Sequence, residues 1–291
     1  MSDMTEVKLK KKKSRLSETW RRLRKNKVAV ISLFVILLLL LVAIFAPLIA
    51  PYSYDEQDYS NAFSRSSLAH PLGTDRLGRD VLSRLIYGSR QSLQIGLIST
   101  SIAAAVGILV GAIAGYYGGW TDNLIMRILD VYQGIPMFLL TVTLAAVLGP
   151  SLRNAILAIA ISTISGYARL MRASILTVRE MEYIEAASAI NVKTPRIIRR
   201  HIIPNAISPL IVSITMHLGT AVLSGAALSF IGLGVQPPIP EWGAMISDAR
   251  NFLRGHMYLS LYPGMCVMIT VLSFNLLGDG LRDALDPRQK T

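Results

Sequence analysis

Acidic residues are scarce in this 291-residue chain, with 18 Asp+Glu against 30 Lys+Arg, and charged residues of both signs reach only 16%. A soluble domain ordinarily carries about 25%. Beside 52% hydrophobic residues, the deficit points to a chain partly solvated by lipid. Cysteine occurs once, as Cys266. It lies in an apolar run, where it reads as packing, and one thiol excludes an internal disulfide framework. There is no G-x-x-x-x-G-K-[ST] loop and no Gly-Lys pair to hold a nucleotide phosphate. The four histidines (His70, His201, His217, His256) are too scattered for a metal site. No G-x-S-x-G elbow accompanies the serines. Nor do the apolar runs carry the series of carboxylates that a proton relay needs. No catalytic residue, cofactor site or metal site is therefore expected, and the chain carries no engine of its own.

The positive charge that is present is concentrated. Eleven of the 30 Lys+Arg fall within residues 1–27, just ahead of the first apolar run. A net charge of +12 can signal nucleic acid, but a basic block in this position fits a cytoplasmic flank facing an anionic leaflet, and no nucleic-acid partner is expected. Residues 28–46, "VAVISLFVILLLLLVAIFA", hold one polar residue, Ser32, in nineteen positions. That length nearly crosses a hydrocarbon core of roughly 30 Å. The apolar core of a cleaved signal peptide is shorter, about 7–15 residues, and Pro47 and Pro51 suit cleavage poorly, so a permanent anchor is expected.

Charge-free gaps count the remaining spans. None of Asp, Glu, Lys or Arg occurs between Arg90 and Asp122, between Asp130 and Arg153, from Ile202 to Pro240, or from Gly255 to Gly278. A shorter gap of fifteen residues separates Arg153 from Arg169. It spans only if those arginines snorkel or face a polar interior. With it, the expected fold is an all-α membrane protein of six spans. Alternating from a cytoplasmic N-terminus puts 22 of the Lys+Arg inside and 8 outside, so both termini are expected in the cytoplasm. Asp130 is the one acid well placed in a span, and Arg127, a helical turn earlier, is its expected partner. His217 falls in the fifth span, where a packed core histidine is favoured over one lining a path. Two small-residue series, Gly107/Gly111/Gly115 and Ala221/Gly225/Ser229, favour packing within the chain over a subunit interface.

Residues 181–204, "MEYIEAASAINVKTPRIIRRHIIP", interrupt this apolar pattern. Tyr183, Ala186, Ala187 and Ile190 fall on one stripe of a two-turn helix. Asn191 tolerates a left-handed turn at its end, Thr194-Pro195 read as N-cap and first position of a second helix, and Pro204 begins the next span. Helices this short are marginal alone and must be held by something else. Glu185 is placed either to favour the first helix's N-terminus or to pair with a basic residue of a partner.

Glu185-Ala186-Ala187, a turn residue at 191 and Pro204 nineteen positions after Glu185 resemble the EAA loop of ABC importer permeases. Residues 72–93, 228–250 and 274–287 ("LGTDRLGRDVLSRLIYGSRQSL", "LSFIGLGVQPPIPEWGAMISDAR", "FNLLGDGLRDALDP") resemble the C-type permease subunit of dipeptide, oligopeptide and nickel importers. Two departures are Asn191, where that family has Gly, and the ending His201-Ile202-Ile203-Pro204. The resemblance implies a type I importer permease in a bacterial inner membrane. It implies a basic segment at 1–27, a first span at 28–50, an external loop at 51–90, a core of five spans at 91–278 and a tail at 279–291. It also implies a second, non-identical permease, two cytoplasmic ATPases that receive the loop, and an external substrate-binding protein. The cargo would be a di- or oligopeptide, with nickel or glutathione as alternatives; a self-powered secondary transporter or a non-transporting scaffold would be the rivals. Asp75, Arg79, Asp80 and Arg84 of the external motif are expected to pair with one another rather than to touch substrate.

Overall fold

The computed structural model describes residues 15–190, 192 and 194–285. A short helix α1 (Arg15–Leu23) precedes the first span, α2 (Lys27–Ile44), whose start is fixed by Asn26: its Oδ1 accepts from the Ala29 N–H at 3.1 Å. The expected single helix over 28–50 breaks at Phe45 into α2 and a one-turn α3 (Ala46–Ile49), because Pro47 cannot continue the hydrogen-bond ladder. In the structure, the loop expected over 51–90 is shorter than that. Helix α4 (Val81–Tyr117) begins within it, capped by Asp80, so the charges at Arg84 and Arg90 sit on helix rather than in a loop. At 37 residues α4 is roughly 55 Å long, more than the membrane requires.

The third span differs most from expectation. Helix α6 (Met137–Leu148) has 12 residues, about 18 Å, which is too short to cross. It passes as a span only together with α5 (Gly119–Gln133), from which it is bent by 84°. The break lies at 134–136, where Pro136 lacks an N–H and disfavours helix at the residue before it. The fourth span, α7 (Leu152–Arg179), is longer than its charge-free gap, because Arg169 and Arg172 are neutralised from α5. Helices α8 (Glu182–Ala189), α9 (Thr194–Ile197) and α10 (Ile203–Ala206) form the small segment before α11 (Ser208–Phe230). Helix α12 (Trp242–Ala249) and the last span α13 (Tyr258–Leu285) complete the chain. Among the described residues, five helices are long and apolar enough to cross a membrane, and the bent pair counted as one span makes six.

Both small-residue series pack inside the chain. A Cβ on Gly111 would lie 2.2 Å from the Ala168 carbonyl oxygen, and one on Gly107 2.5 Å from Tyr167 Cβ, so α4 and α7 touch backbone to backbone. A Cβ on Gly225 would meet Ile95 of α4 at 2.6 Å. Large apolar side chains on α2, such as Ile31 and Phe34, point outward, as a lipid-facing span requires.

Candidate functional site

The segment at 181–204 folds as α8 and a second helical run, from α9 through a π-turn into α10, tied to the body by one cluster. Ile184 of α8 is buried with Val178 of α7, Ile197 of α9, and Ile202 and Leu210 beyond. This inward anchor, which lies off the predicted stripe, stabilises a helix of eight residues that would not persist alone. Of the stripe itself, Tyr183, Ala186 and Ile190 face outward, Ile190 being 77% exposed, whereas Ala187 turns partly inward against the cluster. Glu185 is exposed and lines a recess of about 740 Å³ with Tyr116, Tyr117 and Arg179. The predicted turn residue Asn191 lies outside the described residues. Pro204 does not open the span. It sits in the one turn of α10, preceded by a π-helix over 198–202 in which the Ile203 N–H reaches back to the Ile198 carbonyl, and the span starts at Ser208. A proline has no N–H to keep the ladder in α register, and the wide turn just ahead of it absorbs the mismatch.

Within the membrane, polar side chains gather on one side. Ser213, His217 and Thr220 recur at i, i+4 and i+7 along α11 and, with Asn275 and Arg282 of α13, line a groove of about 680 Å³. His217 is neither fully packed nor free. It lies edge-on to Tyr167 with ring centroids 5.1 Å apart and also borders a second cavity of about 310 Å³ beside Gln133, Ser162 and Ser165. The expectation of a buried core histidine is thus half met.

Charges on α7 are paired across to α5. Arg172 binds both carboxylate oxygens of Asp122, and Arg169 donates to Asp130 at 2.6 Å. The expected Arg127–Asp130 pair is not the one formed. Because α5 and α7 lie side by side, Arg169 approaches Asp130 end-on, whereas a neighbour on the same helix offers only a weak, solvated contact. The Asp122–Arg172 pair escaped the sequence reading, although an acid and an arginine each bordering an apolar run were its available signal.

At the other end of the spans the motif at 72–84 forms a bonded hub. Asp75 accepts from Arg79 Nε at 2.7 Å and lies 3.7 Å from Arg84 Nε, while Arg84 donates to the Tyr54 carbonyl. Asp80 instead caps α4 and meets His70 Nδ1 at 3.0 Å. A Cβ on Gly78 would collide with the Asp58 carbonyl at 1.7 Å, so only glycine allows the two halves of the loop to close. On the rim, hydrogen bonds first from the Ser60 hydroxyl and then from Asn61 hold the Asp58 carboxyl below its usual pKa. Sequence reasoning missed Glu241. Wholly buried, it accepts from Ser92 Oγ at 2.8 Å and from the Ala244 N–H at 2.9 Å, starting α12, and the neighbouring Trp242 donates to the Leu85 carbonyl at 3.1 Å.

Comparison with known proteins places this geometry. The signature of the family described as "Binding-protein-dependent transport system inner membrane component" covers residues 107–291. That of the N-terminal TM domain of oligopeptide transport permease C covers residues 14–71. The dipeptide transport system permease protein DppC of Alkalihalophilus pseudofirmus is 47% identical over 274 residues, 94% of this chain and 90% of that protein. The glutathione transport system permease protein GsiD of Escherichia coli O157:H7 is 44% identical over the same shares. Among solved structures, a chain of the inward-facing MetNI methionine ABC transporter superposes with a TM-score of 0.58 at 18% identity, over 70% of this chain and 97% of that one. An amino acid ABC transporter with histidines gives a TM-score of 0.54 at 16% identity, over 68% and 92%.

Proposed function

The chain belongs to the family of binding-protein-dependent transport system inner membrane components, and from that footing we propose that it imports short peptides as one of two non-identical permease subunits. It is a multi-pass permease subunit of an ABC importer, with the type I fold. Two cytoplasmic ATPases would drive the complex and an external binding protein would supply it. Relatives named for dipeptide and for glutathione transport both carry short peptides, and that is the cargo class assigned here. Both termini and the segment at 181–204 lie in the cytoplasm on this reading, supported by the 22 of 30 Lys+Arg that this orientation places inside.

The observation that carries the coupling role is the divided character of α8. Tyr183, Ala186 and Ile190 form an outward apolar face, while Ile184 fixes the helix to α7 and to the approach to α11. An ATPase cleft receiving the outer face would move the buried face with it. The small Ala186 permits close seating, Glu185 offers a charge at the rim of the contact, and the segment's end at Pro204 leads straight into α11. The polar groove along Ser213, His217, Thr220 and Asn275 would be this subunit's side of the passage, since a peptide's amides need hydrogen-bond partners away from bulk water.

The test is Ala186→Trp in the complete complex in membranes. Overpacking a seated contact costs roughly 1–3 kcal/mol, so ATPase association and uptake should fall about tenfold or more while the chain's membrane level is unchanged. Normal uptake with ATPases fully bound would remove α8 from the coupling role. Ala187→Trp is a poorer probe, because Ala187 partly packs on the chain's own cluster.

A further inference from the structure

We propose that α1 is a binding site for anionic lipid headgroups, and that it conveys their presence to the cytoplasmic end of α13. Only residues 24–26 separate α1 from α2, so α1 must lie at the level of the headgroups that border the first span. Its sequence, RLSETWRRL, puts Trp20 and Leu23 a turn apart. Leu23 is buried against the body, whereas Trp20 remains 47% exposed, with the Arg24 guanidinium 6.0 Å from its ring. An exposed indole with a cation beside it, at the edge of a span, is the arrangement that settles into a membrane interface. Arg21, Arg24, Lys25 and Lys27 are exposed around it, and further lysines precede α1 in the sequence. The occupant that complements such a surface is a lipid phosphate carrying net negative charge.

The inner face of α1 supplies the second half of the inference. Leu23 packs in one cluster with Ala29 of α2 and with Leu277 and Ala284 of α13. The contact is close enough that a Cβ on Gly280 would lie 2.3 Å from Ala29 Cβ and 3.4 Å from Leu23 Cδ1. Two residues on, Arg282 lines the membrane groove. A headgroup that draws α1 toward the bilayer therefore pulls on the segment of α13 that closes the groove at its cytoplasmic end. This step rests on the cytoplasmic placement of the N-terminus proposed above.

The experiment uses the purified full chain in vesicles of phosphatidylcholine with and without phosphatidylglycerol, with brominated acyl chains on one lipid at a time. Trp20 fluorescence is isolated by difference from Trp20→Phe, which leaves Trp120 and Trp242. Brominated phosphatidylglycerol should quench Trp20 more than brominated phosphatidylcholine at the same fraction. The excess should vanish at high salt and in the triple variant Arg21→Gln, Arg24→Gln, Lys25→Gln. At about fivefold per basic residue near an anionic surface, the triple variant should lower the headgroup preference by roughly a hundredfold. Eight of the eleven basic residues in 1–27 remain in it, enough to keep the insertion direction. Equal quenching by both lipids would reduce α1 to a topological flank, and quenching by neither would assign its surface to a protein; either result overturns the proposal. In the complete complex, phosphatidylglycerol should raise uptake by the wild type and not by the triple variant, with both equal in phosphatidylcholine alone. Uptake that responds equally in both overturns the link to α13. Absence of all uptake, with the quenching preference intact, would count against the transport reading and leave the lipid site standing.

Discussion

Gly111→Ala adds a single methyl at the closest point between α4 and α7. That methyl would stand 2.2 Å from the Ala168 carbonyl oxygen and 2.9 Å from Met171 Cβ, where an ordinary contact needs at least 3.4 Å. The obstacle is helix backbone, so no rotamer change relieves it, and the two spans must separate by more than an ångström. Separation is not local, because Gly107 against Tyr167 and Gly115 against Ile175 belong to the same seam and lose contact together. Overpacking of this kind costs about 1–3 kcal/mol, and the shared seam places the expected loss at the upper end. Gly166→Ala is the matched control: it lies on α7, and nothing stands within 4 Å of its added Cβ. There the helix propensity of alanine should leave stability unchanged or raise it by about 0.5–1 kcal/mol. Unfolding midpoints of the purified chain, followed by loss of helicity in mixed micelles, read both. Equal midpoints for the two alanine variants would refute the backbone-to-backbone seam.

Three further outcomes are expected. Asp122→Asn should destabilise the chain by about 1–3 kcal/mol, since it strips a charged partner from Arg172 on a pair whose carboxylate is largely buried; the more exposed Asp130→Asn should cost under about 1 kcal/mol, and unfolding midpoints in the reverse order would contradict the assigned pairs. Glu241→Ala removes the cap of α12 and takes from the Ser92 hydroxyl the acceptor for its proton, a loss of about 2 kcal/mol visible as faster amide exchange in α12 than elsewhere, and unchanged exchange there would deny the cap its role. A membrane-impermeant thiol reagent applied from outside should modify a cysteine placed at Ser66 or Pro238 and spare one at Ile190; the opposite pattern would invert the proposed orientation.

Much of the fold was legible because lipid imposes a simple rule: long charge-free runs must be helix. Residues 28–46 and the gaps from Ile202 and Gly255 obeyed it directly. The third and fourth spans did not, each for its own reason. In the fourth span, Arg169 read as the limit of an apolar run, with Arg172 beyond it, only while the partners of both were unknown. Asp122 and Asp130 lie some forty to fifty residues earlier, and nothing local to either helix shows that they meet. The bend between α5 and α6 had a local sign, Gly134-Ile135-Pro136, but its consequence, a span shared by two helices, depends on tertiary packing. In the 181–204 segment the period of the stripe was readable and its partition was not. Ile184, one position off the stripe, takes the inward place because α7 and α9 present Val178 and Ile197 to it. Glu241 was invisible for a related reason: a lone acid between prolines and Trp242 reads as loop until Ser92, on another helix, is brought beside it.

These contacts define how a push on α8 would travel on the proposed function. Ile184 and Val178 join α8 to the end of α7 through apolar packing that tolerates no gap. From α7 two routes diverge. The glycine seam to α4 is short-range, because without Cβ atoms backbone meets backbone and little space is left along it. The ion pairs to α5 are different, since long arginine side chains can follow their carboxylates over a larger displacement while keeping their bonds. So α4 and α7 should move as one body, with α5 and α6 able to change their mutual angle about the break at 134–136. Between them lies the cavity bordered by Gln133, Ser165 and His217, and His217 borders the groove on its other side. A change in that angle would therefore alter the space beside His217, which borders both cavities. On the proposed function, the opening and closing of the passage would then fall beside His217 rather than at the loop that receives the force.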